Sequence, residues 1–163
     1  MLVPTYGLLV PLFIEYRNLN FLDHRLSLVL PVVAFALPLV IFLIESFMKG
    51  IPRELEEAAY VDGSSLLSLL FRIVFPVCRP VLSTCAIISF LNIWNEFPFA
   101  LILISSQHLK TIPVGLTNFV GQYTVDYPQL MAGIVVSILP VILVYLSLYK
   151  RIIQGMVAGA VKG

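Results

Sequence analysis

Charge is what this chain lacks most: 12% of its 163 residues are Asp, Glu, Lys or Arg, 60% are hydrophobic, and the mean hydropathy is +1.00. A water-soluble domain of this length needs more charge to cover its surface, so the composition places the chain in a bilayer. The formal net charge of +1 points to neither nucleic acid nor an acidic partner. Cysteine is nearly absent. Cys78 and Cys85 stand seven residues apart, about 10.5 Å along one continuous helix and beyond the roughly 4.4–6.8 Å between disulfide-linked Cα atoms, so both read as small packing residues. His24 and His108 lie in separate polar stretches without the spacing of a metal site. The phosphate-cradling pattern G-x-x-x-x-G-K-S/T is missing, which removes that means of binding ATP. Paired acids, a Ser-Lys pair and a His-rich helix are missing too, so no catalytic residue is assigned.

Long apolar runs are what remains. About 20 apolar residues at 1.5 Å each cross a hydrocarbon core of roughly 30 Å, and three stretches meet that length: Leu26 to Ile44, Val81 to Ser105 and Leu130 to Tyr149. Met1 to Ile14 is apolar as well, but reaches only about 21 Å before Glu15 and Arg17. It reads as part of a fourth helix whose start is missing, because a signal peptide would carry a basic residue ahead of the run and a small-x-small site after it. The expected fold class is therefore all-α, a polytopic helical membrane protein of about three full spans and part of a fourth.

The charges are unevenly placed. Seven of the ten basic residues fall in the 49–80 stretch or at the C-terminus, and the positive-inside rule puts both in the cytoplasm. Within 49–80, Pro52 suits a first helical turn, Glu54, Glu56 and Glu57 favour a helix N-terminus, and Gly63 can end the helix. Such a helix of about 15 Å is too short to cross and lies along the surface. A second run, Ser64 to Phe75, spreads its leucines round much of the wheel and needs cover.

The third apolar stretch carries the costly residues. Ser89, Asn92 and Glu96 share one helical face, with Asn95 at its edge. A carboxylate at mid-membrane costs about 2.5–3.5 kcal/mol on insertion scales and usually faces protein or a water-filled cavity. Two readings stay open for this face, a hydrogen-bond clamp between helices and the lining of a translocation path. Ser105 to Gln129 forms the longest loop, broken by Pro113, Gly115, Gly121 and Pro128. In the last span, Gly133 and Ser137 form a small-xxx-small pair suited to close packing. The end from Gln154 to Gly163 is small and expected to be flexible.

One cassette joins these observations. Glu57-Ala58-Ala59, three residues, Gly63, nine residues, then Ile73-Val74-Phe75-Pro76 resembles the E-A-A signature of importer-type ABC permeases, departing only at Phe75 where the pattern has Leu. The stretches Asn92-x-Trp94-Asn95-Glu96-Phe97, Leu130-Met131-Ala132-Gly133 and Ala158-Gly159-Ala160-Val161-Lys162-Gly163 resemble its sugar-importing, maltose-type branch, whose members have six membrane helices. The resemblance implies that residues 1–163 are the C-terminal portion of a permease domain, with 49–80 as its ATPase-coupling loop. It implies coupling roles for Glu57, Ala58, Ala59, Asp62, Gly63, Ile73 and Pro76, and an ATPase-contacting tail at Gly159, Lys162 and Gly163. It further implies no cofactor on this chain, ATP and Mg on a partner ATPase dimer, a second permease subunit, an extracytoplasmic solute-binding protein, and a sugar or related polyol phosphate carried across a prokaryotic plasma membrane. The rival expectation is a truncated subunit that binds ATPase or permease without transporting.

Overall fold

The computed structural model describes residues 4–160, and side-chain surroundings for 4–147. A 3₁₀ turn, Thr5–Leu8, leads into α1 (Leu9–Asn18), followed by α2 (Arg25–Met48), α3 (Glu54–Val61), α4 (Leu66–Val77), α5 (Arg79–Trp94), α6 (Pro98–Leu103), α7 (Ile112–Leu116) and α8 (Tyr127–Ala160). Extended pairing among the described residues is limited to one antiparallel bridge, Val120 to Val125. The fold is all-α. Its helices fall into two compact units, one of residues up to Pro38 with Phe90–Val144, the other of Leu39–Ser89 with residues from Tyr145 onward.

In the second unit, Val40, Leu43, Ile44 and Phe47 recur at the i, i+3, i+4, i+7 spacing that lines one face of a helix. That stripe of α2 packs against buried Cys78, Val81 and Cys85. Both thiols are free and buried, in keeping with the packing role expected from their spacing. The axes of α4 and α5 bend by 69° across Cys78. Pro76 and Pro80 explain the elbow: Pro80 has no N–H for the Pro76 carbonyl, and its ring would collide with that carbonyl in a continuous helix.

The first unit is built round α6. Phe99 (3% exposed), Ala100 and Leu103 are its buried residues, joined by Ile104 just past its end and Val114 of α7. The Phe99 ring meets Phe35 of α2 at 5.5 Å between centroids, and α1 packs along α6. The 105–126 loop does not float free. Leu116 presses on Gly133 of α8 so closely that a Cβ there would stand 2.5 Å from a Leu116 methyl. Gly133 of the small-xxx-small pair is thus used for packing by a loop helix, while Ser137 offers its backbone carbonyl to an indole described below.

Several boundaries differ from the sequence expectation. Glu15 and Arg17, where the apolar start was expected to stop, belong to α1, which runs on to Asn18, and residues 19–24 form the connector to α2; it turns with Asn20 (φ 52°) and Asp23 (φ 58°) in the left-handed region, which Asn and Asp tolerate best among residues with a side chain. The stretch Val81 to Ser105 is not one helix. It breaks between Trp94 and Pro98, because the residue before a proline avoids the helical region and Phe97 sits at φ −127°. Helix α8 starts three residues before Leu130, where Asp126 caps it through the Gln129 N–H at 3.1 Å. It also continues to Ala160. The expected flexible end from Gln154 is helical that far, since extending an existing helix gains one hydrogen bond per residue and alanine favours it.

Two helices, α2 and α8, have the length and apolarity to cross a membrane, and the bent pair α4–α5 makes up to three spans. In α8 none of the most apolar stretch is buried against the rest of the chain. That face requires lipid or another protein.

Candidate functional site

Helix α3 opens with Glu54, Glu56 and Glu57 in its first turn, where negative charge complements the N-terminal dipole. It is eight residues long, about 12 Å. Its end is built by hydrogen bonds of the Schellman type: the Gly63 N–H donates to the Tyr60 carbonyl and the Ser64 N–H to the Ala59 carbonyl, both at 3.0 Å. Gly63 takes φ +72° with open space where a Cβ would stand. Its role is therefore conformational and not steric. Ala59 is 4% exposed, whereas Glu57, Ala58 and Asp62 face outward. None of the carboxylates of α3 forms an ion pair among the described residues; the bridge seen among them joins Glu45 of α2 to Lys49 just past its end, at 2.8 Å.

Ser65 caps α4 by accepting the Ser68 N–H at 3.3 Å. From Leu70 to Val74 the helix widens into a π turn, a feature that marks local strain or function and that propensity alone does not signal. Ile73 lies in this π turn and Pro76 in the last turn before the elbow, both half-buried. Asp62 and Gly63 line one hollow together with Phe71 and Arg72 of α4, while Ile73 and Pro76 do not. Of the expected tail residues, Gly159 lies in α8; Lys162 and Gly163 lie outside the described residues.

The other group surrounds the break after α5. Ser89 is half-buried, and Asn92 and Asn95 are exposed. Asn95 folds back, its amide donating to the Leu91 carbonyl at 2.8 Å. The Glu96 carboxylate turns toward α6 and accepts the N–H groups of Phe99 at 2.7 Å and Ala100 at 3.0 Å. These are two of the amides that a helix start leaves without partners. Glu96 is thus off the helical face that Ser89 and Asn92 share, because α5 ends before it. Pro98, at the first position of α6, is the sequence signal for the break.

Two further residues matter that residue type alone did not single out. Asp23 accepts the N–H groups of Ser105 at 3.0 Å and Ser106 at 2.8 Å and the Ser106 hydroxyl, while its own N–H donates to the Leu103 carbonyl at 2.8 Å. Both ends of α6 are therefore held by carboxylate-bearing residues. The Ser106 hydroxyl and then the Ser106 amide hold the Asp23 carboxyl below the usual aspartate range, opposed by partial desolvation and aided by the Ser105 amide and His108. Trp94 stacks on Phe90 and donates its indole N–H to the Ser137 carbonyl at 3.0 Å. That carbonyl is one residue past the one that Pro140 leaves without its usual donor. The indole therefore ties α5 to α8 beside the proline and does not replace the bond that Pro140 removes.

Residues 1–158 match the family described as binding-protein-dependent transport system inner membrane component. Among similar proteins, a putative ABC transporter permease of Caldicellulosiruptor sp. is 40% identical over 163 residues, covering 100% of this chain and 59% of the relative. The sulfoquinovosyl glycerol transport system permease SmoH of Agrobacterium fabrum is 39% identical, covering 98% of this chain and 56% of the relative. A crystal structure of a bacterial ABC transporter involved in import of the acidic polysaccharide alginate superposes with a TM-score of 0.68 at 28% identity, over 86% of this chain and 55% of that one. The chain spans little more than half the length of these relatives.

Two outcomes follow from the clamps on α6. Glu96→Ala leaves the Phe99 and Ala100 amides without acceptors and should destabilise the purified protein by about 1–3 kcal/mol, whereas Glu96→Gln, which keeps one acceptor oxygen, should lose less; thermal unfolding in detergent distinguishes them, and equal melting of Glu96→Ala and the parent protein refutes the cap. For Asp23 the folded pKa is lowered, so its contribution is complete above the ordinary aspartate value of about 3.9 and disappears as pH falls through the lower folded value. Protection of the Ser105 and Ser106 amides, corrected for intrinsic exchange, should persist at pH 5 and fall only below the ordinary aspartate range. In Asp23→Asn that acid transition should vanish.

Proposed function

The chain belongs to the family of binding-protein-dependent transport system inner membrane components, and from that premise we propose that it forms the coupling and translocating part of a carbohydrate-importing ABC permease. The observation that carries this reading is α3: a short capped helix with an outward Glu57-Ala58 edge, unpaired carboxylates and a glycine-locked end, followed within one chain segment by apolar helices. A separate ATPase dimer would receive α3 in a groove. Ala58 permits close approach, Glu57 and Asp62 would meet basic or amide groups, and Val61, 88% exposed, supplies apolar contact. Ile73 and Pro76 set the geometry of the following helix through the π turn and the elbow.

On this reading the chain is a multi-pass permease subunit with residues 49–80 and the C-terminus in the cytoplasm, where the basic residues concentrate. It would need no ATP site of its own. ATP and Mg would bind the ATPases, a second permease subunit would complete the pathway, and a solute-binding protein would deliver the substrate from outside. The carbohydrate assignment is supported by the names of relatives, which include transport permeases for sulfoquinovosyl glycerol, melibiose, raffinose and stachyose, and trehalose. Asn92 and Asn95, exposed at the end of α5, are the polar groups offered to a path. Glu96, with both oxygens engaged by α6, would position that helix and not meet the substrate.

The test of coupling uses Gly63→Val in the complete transporter. A β-branched residue opposes φ +72°, so ATP hydrolysis should separate from uptake, or the ATPase should leave the membrane fraction; normal uptake with normal ATPase retention would sink the assignment. For the path, Asn92→Ala should lower uptake at least several-fold while the assembled complex is recovered in normal yield. Loss of assembly with unchanged uptake per complex would assign Asn92 to packing instead.

A further inference from the structure

The first unit contains a cavity of about 440 Å³, within the roughly 300–1,000 Å³ range of small-ligand pockets. Its walls are Phe13 of α1, Leu22 of the connector, Leu101 of α6 and Val114 of α7, and at its rim stand Ser105 and Lys110. Lys110 is the one Lys or Arg between Arg79 and Lys150. Its ammonium donates to the Asn118 carboxamide oxygen at 3.1 Å, which uses one of three donors. Among the described residues no carboxylate pairs with it. Asp23, adjacent in sequence to the wall residue Leu22, has its oxygens engaged by Ser105 and Ser106. A half-buried cation without a counter-ion thus borders an apolar hollow in a protein whose surroundings are lipid.

We propose that this cavity holds one acyl chain of an anionic phospholipid, with the Lys110 ammonium on the lipid phosphate. Charge complementarity selects the headgroup, since the rim offers a compact cation and a hydroxyl to a phosphate. The walls select a hydrocarbon chain, because apolar area withdrawn from water or from a polar interface favours it. A lysine at such a rim keeps its charged end at the interface while its stem covers apolar surface. The bound lipid would fill the space between α1, α6 and α7 and steady the docked loop.

Native mass spectrometry of the full chain, released from nanodiscs of equal parts phosphatidylglycerol and phosphatidylcholine, tests this. One retained phosphatidylglycerol per chain is expected; Lys110→Arg should keep it, and Lys110→Gln should lower its retention about fivefold, the effect of one charge near an anionic surface. Leu101→Trp, at an exposed wall position, should reduce retention of both lipids by filling the mouth. Equal retention of the two lipids by the unaltered chain overturns the proposal, as does unchanged retention in Lys110→Gln or in Leu101→Trp. Displacement of the lipid by inorganic phosphate alone also overturns it, by showing an ion site that needs no chain.

Discussion

A helix of six residues cannot hold itself together, and α6 is such a helix. Isolated helices below about 12 residues are marginal even with good formers, and a buried amide without a partner costs free energy comparable to a lost hydrogen bond. Helix α6 is nonetheless the most buried element of its unit, with Ala100 fully enclosed. Glu96 closes its N-terminal amides and the Asp23 N–H closes its last carbonyl. Much of the first unit follows from these contacts. The connector must turn through left-handed Asp23 to reach Leu103, and the loop beyond Ile104 leaves in the direction set by Ser105 and Ser106.

This dependence explains why the apolar stretch from Val81 could not remain one span. Composition counts apolar residues and does not see where the backbone changes partners. The local signals were present: Pro98 forbids an ordinary helical residue at Phe97, and a carboxylate two residues before a proline is placed to serve a new helix. They lay inside a run whose average hydropathy concealed them. By contrast α2 was legible to within a few residues, because its 24 residues contain no competing cap and Pro31 and Pro38 do not end it, as lipid gives the chain nowhere else to satisfy its backbone.

The α3 region was legible for a different reason. Glutamates in a first turn and a glycine nine residues after Glu54 are end markers that act locally, and the hydrogen bonds at Gly63 follow from them with no tertiary context. The π turn at Leu70–Val74 and the bond from Asp23 to a loop some 82 residues away were not legible, since the first is a packing compromise and the second joins residues that only the fold brings together. The two cysteines pack in one cluster without pairing, as a distance limit along a continuous helix predicts, although the elbow at Cys78 breaks that helix.

The left-handed backbone at Gly63 also constrains how this position can vary in descent. Among the other residues, Asn and Asp are those that enter that region at lowest cost. Under the standard genetic code a single base change turns a glycine codon into Ala, Val, Ser, Arg, Cys, Trp, Asp or Glu, and Asn needs two. Asp is therefore the one permissive neighbour in a single step, and it would set a second carboxylate beside Asp62 at the end of a helix whose dipole already disfavours negative charge. Drift at this residue is closed off on one side by backbone sterics and on the other by electrostatics.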